Sequence, residues 1–209
     1  RLDGNPDGVG IEEYFNKDIM KTGIICIETE FELTTKERSR NMDTESLLRF
    51  MEEGHQIPYI YRRVATLGEL KYYLRKFAQV DYMRKYQILY FSFHGKTHLI
   101  ELEGERANNR QLTLEELAEI GGPVFEGRFV HFSSCFTMNG SDSVAIKFKK
   151  ETGAKLLSGY SKSVDTVRSA IHDICVFDTF LSYMQIPSIL NRLEKTYSGL
   201  SEELGFKII

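Results

Sequence analysis

Two residues of this sequence that could act together as a nucleophile and a base, Cys135 and His94, each follow an apolar run. The run 87–93 leads directly into His94, and the run 129–133 leads into Cys135 after one serine. Only a few per cent of an ordinary cysteine thiol, with a pKa of about 8.5, is ionised at neutral pH. A nearby imidazole can accept the thiol proton and later protonate a leaving amine. The pair therefore indicates nucleophilic attack on an amide carbonyl.

The residue after the histidine, Gly95, has a separate predicted role. Because it has no side chain, its backbone N–H can approach a substrate carbonyl oxygen. Together with the N–H of Cys135 it would form an oxyanion hole, in which one donor contributes about 2.7–4 kcal/mol. The sequence shows no obvious third member, so we predict a catalytic pair.

The elements that would position this pair alternate between strand and helix patterns. Short apolar or β-branched runs predict strands at 23–27, 57–64, 87–93, 129–133 and 154–159. Apolar residues at helical spacing predict helices at 44–51, 66–77, 113–120, 141–152, 164–183 and 189–197. This order predicts an α/β fold with a mostly parallel central sheet and helices on both faces.

In such a sheet, functional residues collect beyond the carboxyl ends of the strands. Cys135 follows His94 by 41 positions, which suits one crossover with an inserted hairpin. The alternating segment 97–103 is the candidate for that hairpin. We therefore expect 87–93 and 129–133 to be neighbouring strands, so that His94 and Cys135 face each other across one crevice.

Length and composition narrow the class of protein. The 209 residues suit one domain at 20–209, preceded by a flexible lead-in or linker at 1–19, which is rich in Gly and Asp. A net charge of −3 makes nucleic acid an unlikely main partner. No apolar run approaches the roughly 18 residues of a membrane span, so no membrane partner is expected. Three cysteines form no disulfide framework, which predicts a cytoplasmic, reducing location.

The other cysteines and histidines have ordinary structural interpretations. Cys26 lies within a predicted strand and Cys175 within a predicted helix, where a small apolar side chain is expected. His131 precedes Cys135 by two strand periods, so it shares that face and is the alternative base. The spacing of His and Cys matches no metal-binding motif, and neither a metal nor a cofactor is predicted.

The segments Tyr90-Phe-Ser-Phe-His94-Gly95 and His131-Phe-Ser-Ser-Cys135 together resemble the caspase-like superfamily of cysteine peptidases, most closely its bacterial CHAT-like and small caspase-like members. In that superfamily one hydrophobic strand ends in His-Gly and a later one ends in the nucleophilic cysteine. The caspase signature Gln-Ala-Cys-x-Gly is replaced here by Ser133-Ser-Cys-Phe-Thr137. The resemblance covers roughly residues 22–185. It implies a three-layer α/β/α sandwich with a His94/Cys135 dyad.

The resemblance also implies substrate-binding residues after the predicted strand 154–159. In separase and its relatives an Asp at this point binds an Arg or Lys side chain, and here that residue is Asp165. Ser158 and Tyr160 would border the same crevice and hold a peptide backbone. The residues alone allow a second interpretation, in which Asp165 is an acid in the first turn of a helix, favoured by the helix dipole.

The predicted function is a cysteine endopeptidase of caspase-like type that cleaves a protein or peptide substrate, with cleavage after a basic residue as one expectation. An activating partner protein and a role in bacterial defence or signalling are implied by the resemblance alone. The alternative is a catalytically inactive caspase-like sensor or adaptor that acts by protein binding, since a fold does not fix a function. A nucleotide-binding domain ranks third, because no Gly-rich phosphate loop follows the first predicted strand.

Overall fold

The structure, a computed structural model, describes residues 22–31, 43–106, 110–183 and 185–209. The predicted lead-in at 1–19 lies outside the described residues. The strands are β1 (Gly23–Thr29), β2 (Tyr59–Val64), β3 (Tyr86–Ser92), β4 (His94–Lys96), β5 (Leu99–Glu101), β6 (Gln111–Thr113), β7 (Phe129–Ser133), β8 (Leu156–Tyr160) and β9 (Phe206–Ile208). The α-helices are α1 (Glu45–His55), α2 (Leu67–Phe77), α3 (Val80–Lys85), α4 (Leu114–Gly121), α5 (Asp142–Thr152), α6 (Thr166–Ser182) and α7 (Ile186–Leu204).

Six strands form the central sheet in the order β2-β1-β3-β7-β8-β9. β1, β2, β3, β7 and β8 pair in parallel, and β9 is antiparallel to β8 at the edge. The five parallel strands are the five that the sequence predicts, so the α/β class and the mostly parallel sheet are confirmed. The edge strand β9 is not predicted, because its three residues are too few to show a strand pattern.

Side chains of the central strands alternate between two cores. On β3, Leu89 and Phe91 pack into the core that α2, α4 and α5 cover, whereas Ile88 and Tyr90 pack into the core that α1, α6 and α7 cover. The nearly continuous apolar run at 87–93 is explained by burial on both faces, as is usual for a central parallel strand. Helices on both faces make the fold a three-layer arrangement.

Two of the predicted helices, α2 and α4, begin with a capping box. Thr66 and Thr113 each accept a hydrogen bond from the backbone N–H three residues later, and Glu69 and Glu116 accept one in return. The hydrogen bonds from backbone N–H groups lower the pKa of both glutamates. These boxes fix the starts of α2 and α4.

The layer formed by α6 and α7 differs from the prediction at its ends. α6 begins at Thr166, and Asp165 is its N-cap rather than a residue of the first turn. α7 extends from Ile186 to Leu204, beyond the predicted 189–197, and its C-cap is Gly205 with a φ of 63°. No described helix combines the length and the apolar character that a bilayer-spanning segment requires.

An antiparallel arm of three strands, β4-β5-β6, is inserted between β3 and α4. The predicted hairpin began at residue 97, but the arm begins at His94, which pairs with Glu101, while Gly95 pairs with Ile100. The N–H of His98 donates to the carbonyl oxygen of Thr137 at 3.2 Å. The arm is therefore attached to the turn that follows β7.

Candidate active site

The strands that lead to His94 and Cys135 are neighbours, as expected. β3 and β7 pair in parallel, and the last pair of the register is Ser92 with Ser133. His94 and Cys135 each lie two residues beyond that pair, at the carboxyl edge of the sheet. The chain thus places the two residues at equivalent positions on adjacent strand ends.

Gly95 brings the two strand ends into direct backbone contact. A Cβ atom at this position would lie 2.5 Å from the carbonyl oxygen of Cys135 and 2.9 Å from the Cβ of Ser134. Real side chains do not tolerate such distances, so this close approach requires glycine. The backbone N–H of Cys135 has no backbone carbonyl partner among the described residues. Its role as an oxyanion donor, together with that of Gly95, remains a prediction.

The thiol of Cys135 is partly exposed and lies against the segment that leads into α6. The N–H of Val164 donates to Sγ at 3.4 Å, and the hydroxyl of Ser163 lies 3.8 Å from Sγ. A backbone N–H directed at sulfur stabilises negative charge that develops there. The turn itself contains a strained residue, since Phe136 has a φ of 59°.

The imidazole of His94 lies at the surface, with half of the side chain exposed. Its Nε2 lies 3.8 Å from Oε2 of Glu103, and the ring packs edge-on against Phe31 at a centroid distance of 4.8 Å. In the described part of the chain no hydrogen bond joins His94 to Cys135. The structure therefore aligns the two strand ends, and it leaves the contact between thiol and imidazole unmade.

Asp165 follows Val164, which contacts the thiol, and it has a structural role of its own. Its Oδ1 accepts hydrogen bonds from the N–H groups of Val167 and Arg168, both at 3.0 Å. The side chain is exposed, and it follows Val164, whose N–H donates to the sulfur of Cys135. Asp165 thus caps α6 and directly follows the residue whose N–H contacts the thiol.

Ser158 and Tyr160 do not border the crevice, and that expectation is wrong for their side chains. Both are completely buried, because these residues of β8 point into the core beneath α6. The hydroxyl of Ser158 lies 2.9 Å from Nδ1 of His131. His131 is also completely buried, so it is not accessible as an alternative base.

These residues belong to a buried polar network around Asp173 of α6. The Asp173 carboxylate accepts hydrogen bonds from Nε2 of His131 at 2.7 Å, from the hydroxyl of Tyr90 at 2.6 Å, and from the hydroxyl of Tyr160. Burial alone would raise the pKa of Asp173, but the charge interaction with His131 and these hydrogen bonds outweigh it and lower the pKa. The network ties α6 to β3, β7 and β8.

The network continues through His172 to α7. Nδ1 of His172 lies 3.0 Å from the Tyr160 hydroxyl, and Nε2 lies 2.8 Å from the hydroxyl of Ser201. Because the Tyr160 hydroxyl donates to Asp173, Nδ1–H of His172 donates to Tyr160 and Nε2 accepts from Ser201. Burial lowers the pKa of His172 to about 4, so the side chain is neutral at neutral pH.

A second buried carboxylate, Glu28, lies one residue before the end of β1, near the carboxyl edge of the sheet. It accepts hydrogen bonds from the N–H of Thr44 and the hydroxyl of Ser92, both at 3.1 Å, and from the hydroxyl of Tyr61. Burial, together with the hydrogen bond to Glu28, raises the pKa of Tyr61. This group braces α1, β2 and β3 beside the candidate site. Its only sequence signal is an acid at the end of an apolar run.

The fold and the site define an α/β protein with a mostly parallel six-stranded sheet that carries a cysteine and a histidine on neighbouring strand ends. Residues 21–209 match the family described as "Family of unknown function (DUF6642)". The match covers most of the chain, and the chain belongs to this family. A comparison with curated proteins found no match.

Proposed function

We propose that this protein is a cysteine endopeptidase of caspase-like type, in which Cys135 is the nucleophile and His94 the base. One observation carries the proposal: His94 and Cys135 lie at equivalent positions on adjacent strand ends, with Gly95 pressed against the backbone of Cys135. Two side chains placed in this way come within reach of one substrate carbonyl. The proposed peptidase domain corresponds to residues 20–209.

The proposed reaction begins when His94 accepts the thiol proton and Sγ of Cys135 bonds to the scissile carbonyl carbon. The N–H groups of Gly95 and Cys135 would hold the oxyanion. The C–N bond then breaks, and His94 gives its proton to the leaving amine, which leaves a thioester on Cys135. Water, deprotonated by His94, attacks this thioester and releases the carboxylic acid product and the thiol.

The reaction needs the imidazole of His94 to move towards the thiol of Cys135, and the exposure of the imidazole favours this movement. The His94 side chain is 51% exposed, so the ring can rotate towards Cys135 once its edge-on contact with Phe31 is released. Catalytic hydrogen bonds are often long or absent without substrate and form when it binds. A bound peptide would exclude water between the arm and the segment before α6.

Asp165 provides the proposed preference for a basic residue before the cleaved bond. Its exposed carboxylate lies one residue from Val164, whose N–H donates to the sulfur. An Arg or Lys side chain of a bound peptide could pair with this carboxylate while its carbonyl carbon lies at Cys135. Because Oδ1 already caps α6, the second oxygen is the one available to a substrate.

A panel of fluorogenic peptides that differ only in the residue before the cleaved bond tests this function. We expect Arg and Lys peptides to be cleaved about tenfold faster or more than neutral ones, and Cys135→Ala to abolish cleavage. Asp165→Asn should remove the preference for Arg and Lys while retaining the helix cap, since Asn is about as good an N-cap residue as Asp. A preference for acidic or aliphatic residues would refute the role of Asp165 and leave the His94/Cys135 pair in place.

The second candidate function is a catalytically inactive sensor or adaptor that binds another protein. Phe136 favours it, because this side chain is 39% exposed beside Cys135 on a strained backbone. An exposed aromatic residue at a strained position suits a contact surface better than a packed core. Under this function Cys135 would react no faster than an ordinary thiol, with or without His94.

A further inference from the structure

We propose that Glu103 is a positioning residue for His94, holding Nε2 of the imidazole so that Nδ1 is the nitrogen that serves Cys135. The proposal rests on the proposed peptidase function and adds a third member to a site that the sequence presents as a pair. The observation behind it is the 3.8 Å distance between Nε2 of His94 and Oε2 of Glu103.

The Glu103 carboxylate is held in a fixed and nearly buried position. Its side chain is only 9% exposed, and Nη2 of Arg110 lies 2.6 Å from Oε2. Arg110 is therefore paired with Oε2 of Glu103, and Nε2 of His94 faces the same oxygen atom. Because the carboxylate is nearly buried and paired with Arg110, it can keep its position while the exposed imidazole moves.

The backbone around Glu103 is attached to the carboxyl edge of the central sheet. The N–H of Glu103 donates to the hydroxyl of Thr29, at the end of β1, at 3.0 Å. A Cβ atom at Gly104 would lie 2.7 Å from Cβ of Ala65, just beyond β2, so this loop lies tightly against that strand end. The acid is therefore fixed relative to the strands that lead to the candidate site.

This geometry assigns different tasks to the two ring nitrogens of His94. When Nε2 carries its proton and points at Glu103, Nδ1 is left with a lone pair that can accept the thiol proton. The carboxylate also stabilises the imidazolium that forms as the thiol ionises. A shift of about 1 Å by the exposed ring would bring Nε2 to hydrogen-bond distance.

Glu101 is a matched control in the same arm. It is the strand partner of His94, but its carboxylate accepts hydrogen bonds from Nζ of Lys96 and Nε2 of Gln111, both at 2.9 Å. Glu101→Gln removes one negative charge near His94, as Glu103→Gln does, without touching the ring nitrogen. A general charge effect would therefore act in both variants.

The experiment measures the rate of Cys135 alkylation by iodoacetamide at pH 7 in single and double variants. Glu103→Gln is expected to slow the reaction about tenfold when His94 is present and to have no further effect in a His94→Ala background. Glu101→Gln should change the rate less than twofold in either background. Thermal unfolding of each variant confirms that the compared proteins are folded.

The outcomes separate the positioning role from the peptidase function. An unchanged rate in Glu103→Gln, an equal slowing in both backgrounds, or an equal slowing by Glu101→Gln would overturn the role of Glu103 while His94 still accelerates Cys135. If His94→Ala itself leaves the rate unchanged, the proposed catalytic pair fails first, and the role of Glu103 fails with it.

Discussion

Replacing Asp173 with alanine is expected to lower the free energy of unfolding by about 3–5 kcal/mol, the usual cost of removing one partner from a buried charged pair. The carboxylate is completely buried and accepts hydrogen bonds from His131, Tyr90 and Tyr160. Without it, Nε2–H of His131 and the hydroxyls of Tyr90 and Tyr160 lose their carboxylate acceptor inside the core. A buried donor that is left unpaired costs more free energy than its hydrogen bond contributed. Urea denaturation followed by circular dichroism measures the change.

The same helix offers a matched control for this variant. Asp178 of α6 is partly exposed and lies 3.8 Å from Nε2 of His55. Asp178→Ala should cost about 1 kcal/mol or less, because exposed ion pairs contribute little. If the two variants lose similar stability, the buried network does not hold α6 to the sheet in the way that its geometry indicates.

Acidification from pH 6.5 to pH 4 is expected to lower the free energy of unfolding by about 3 kcal/mol through the protonation of His172 alone. Burial lowers the pKa of this histidine to about 4, whereas an unfolded histidine has a pKa of about 6.5. Between these values the unfolded chain binds a proton that the folded chain does not. Stability therefore falls as the pH decreases through this range. Each unit by which the folded and unfolded pKa values differ corresponds to about 1.4 kcal/mol of stability.

Denaturation curves of the wild type and His172→Gln across this pH range test the assignment. Glutamine keeps polar atoms near Tyr160 and Ser201 but does not titrate, so the loss of stability between pH 6.5 and 4 should shrink by about 3 kcal/mol in the variant. His55→Gln, at an exposed position on α1, is the matched control for the replacement of one histidine. A slope that survives in His172→Gln would show that another group controls it.

Much of the fold could be predicted because its signals are local. The nearly continuous apolar run before His94 indicates a strand buried on both faces, and the capping boxes at Thr66 and Thr113 mark two helix starts. The position of Cys135 beside His94 then follows from the rule that parallel strands place functional residues at their carboxyl ends. The observed pairing of β3 with β7 satisfies that rule.

The side chains around the site depend on contacts that no local pattern encodes. Ser158 and Tyr160 belong to a strand that is buried throughout, so the sequence does not indicate which face meets the crevice. The partner of His131 is Asp173, 42 residues later, which becomes a neighbour only when α6 packs on the sheet. Glu103 reaches His94 only because the arm folds back over the strand ends.

The most direct test of the His94/Cys135 pair is the alkylation rate of Cys135 in the wild type and in His94→Ala. Mass spectrometry of the labelled peptides measures this rate for each cysteine. Burial raises the pKa of Cys26 and Cys175, so these thiols are internal references for slow reaction. If the pair is catalytic, Cys135 of the wild type reacts at least about tenfold faster at pH 7 than Cys135 of the variant, and the two rates converge near pH 10, where an ordinary thiol is ionised. Equal rates at pH 7, or a Cys135 that reacts as slowly as Cys26 and Cys175 in both proteins, would contradict the peptidase function.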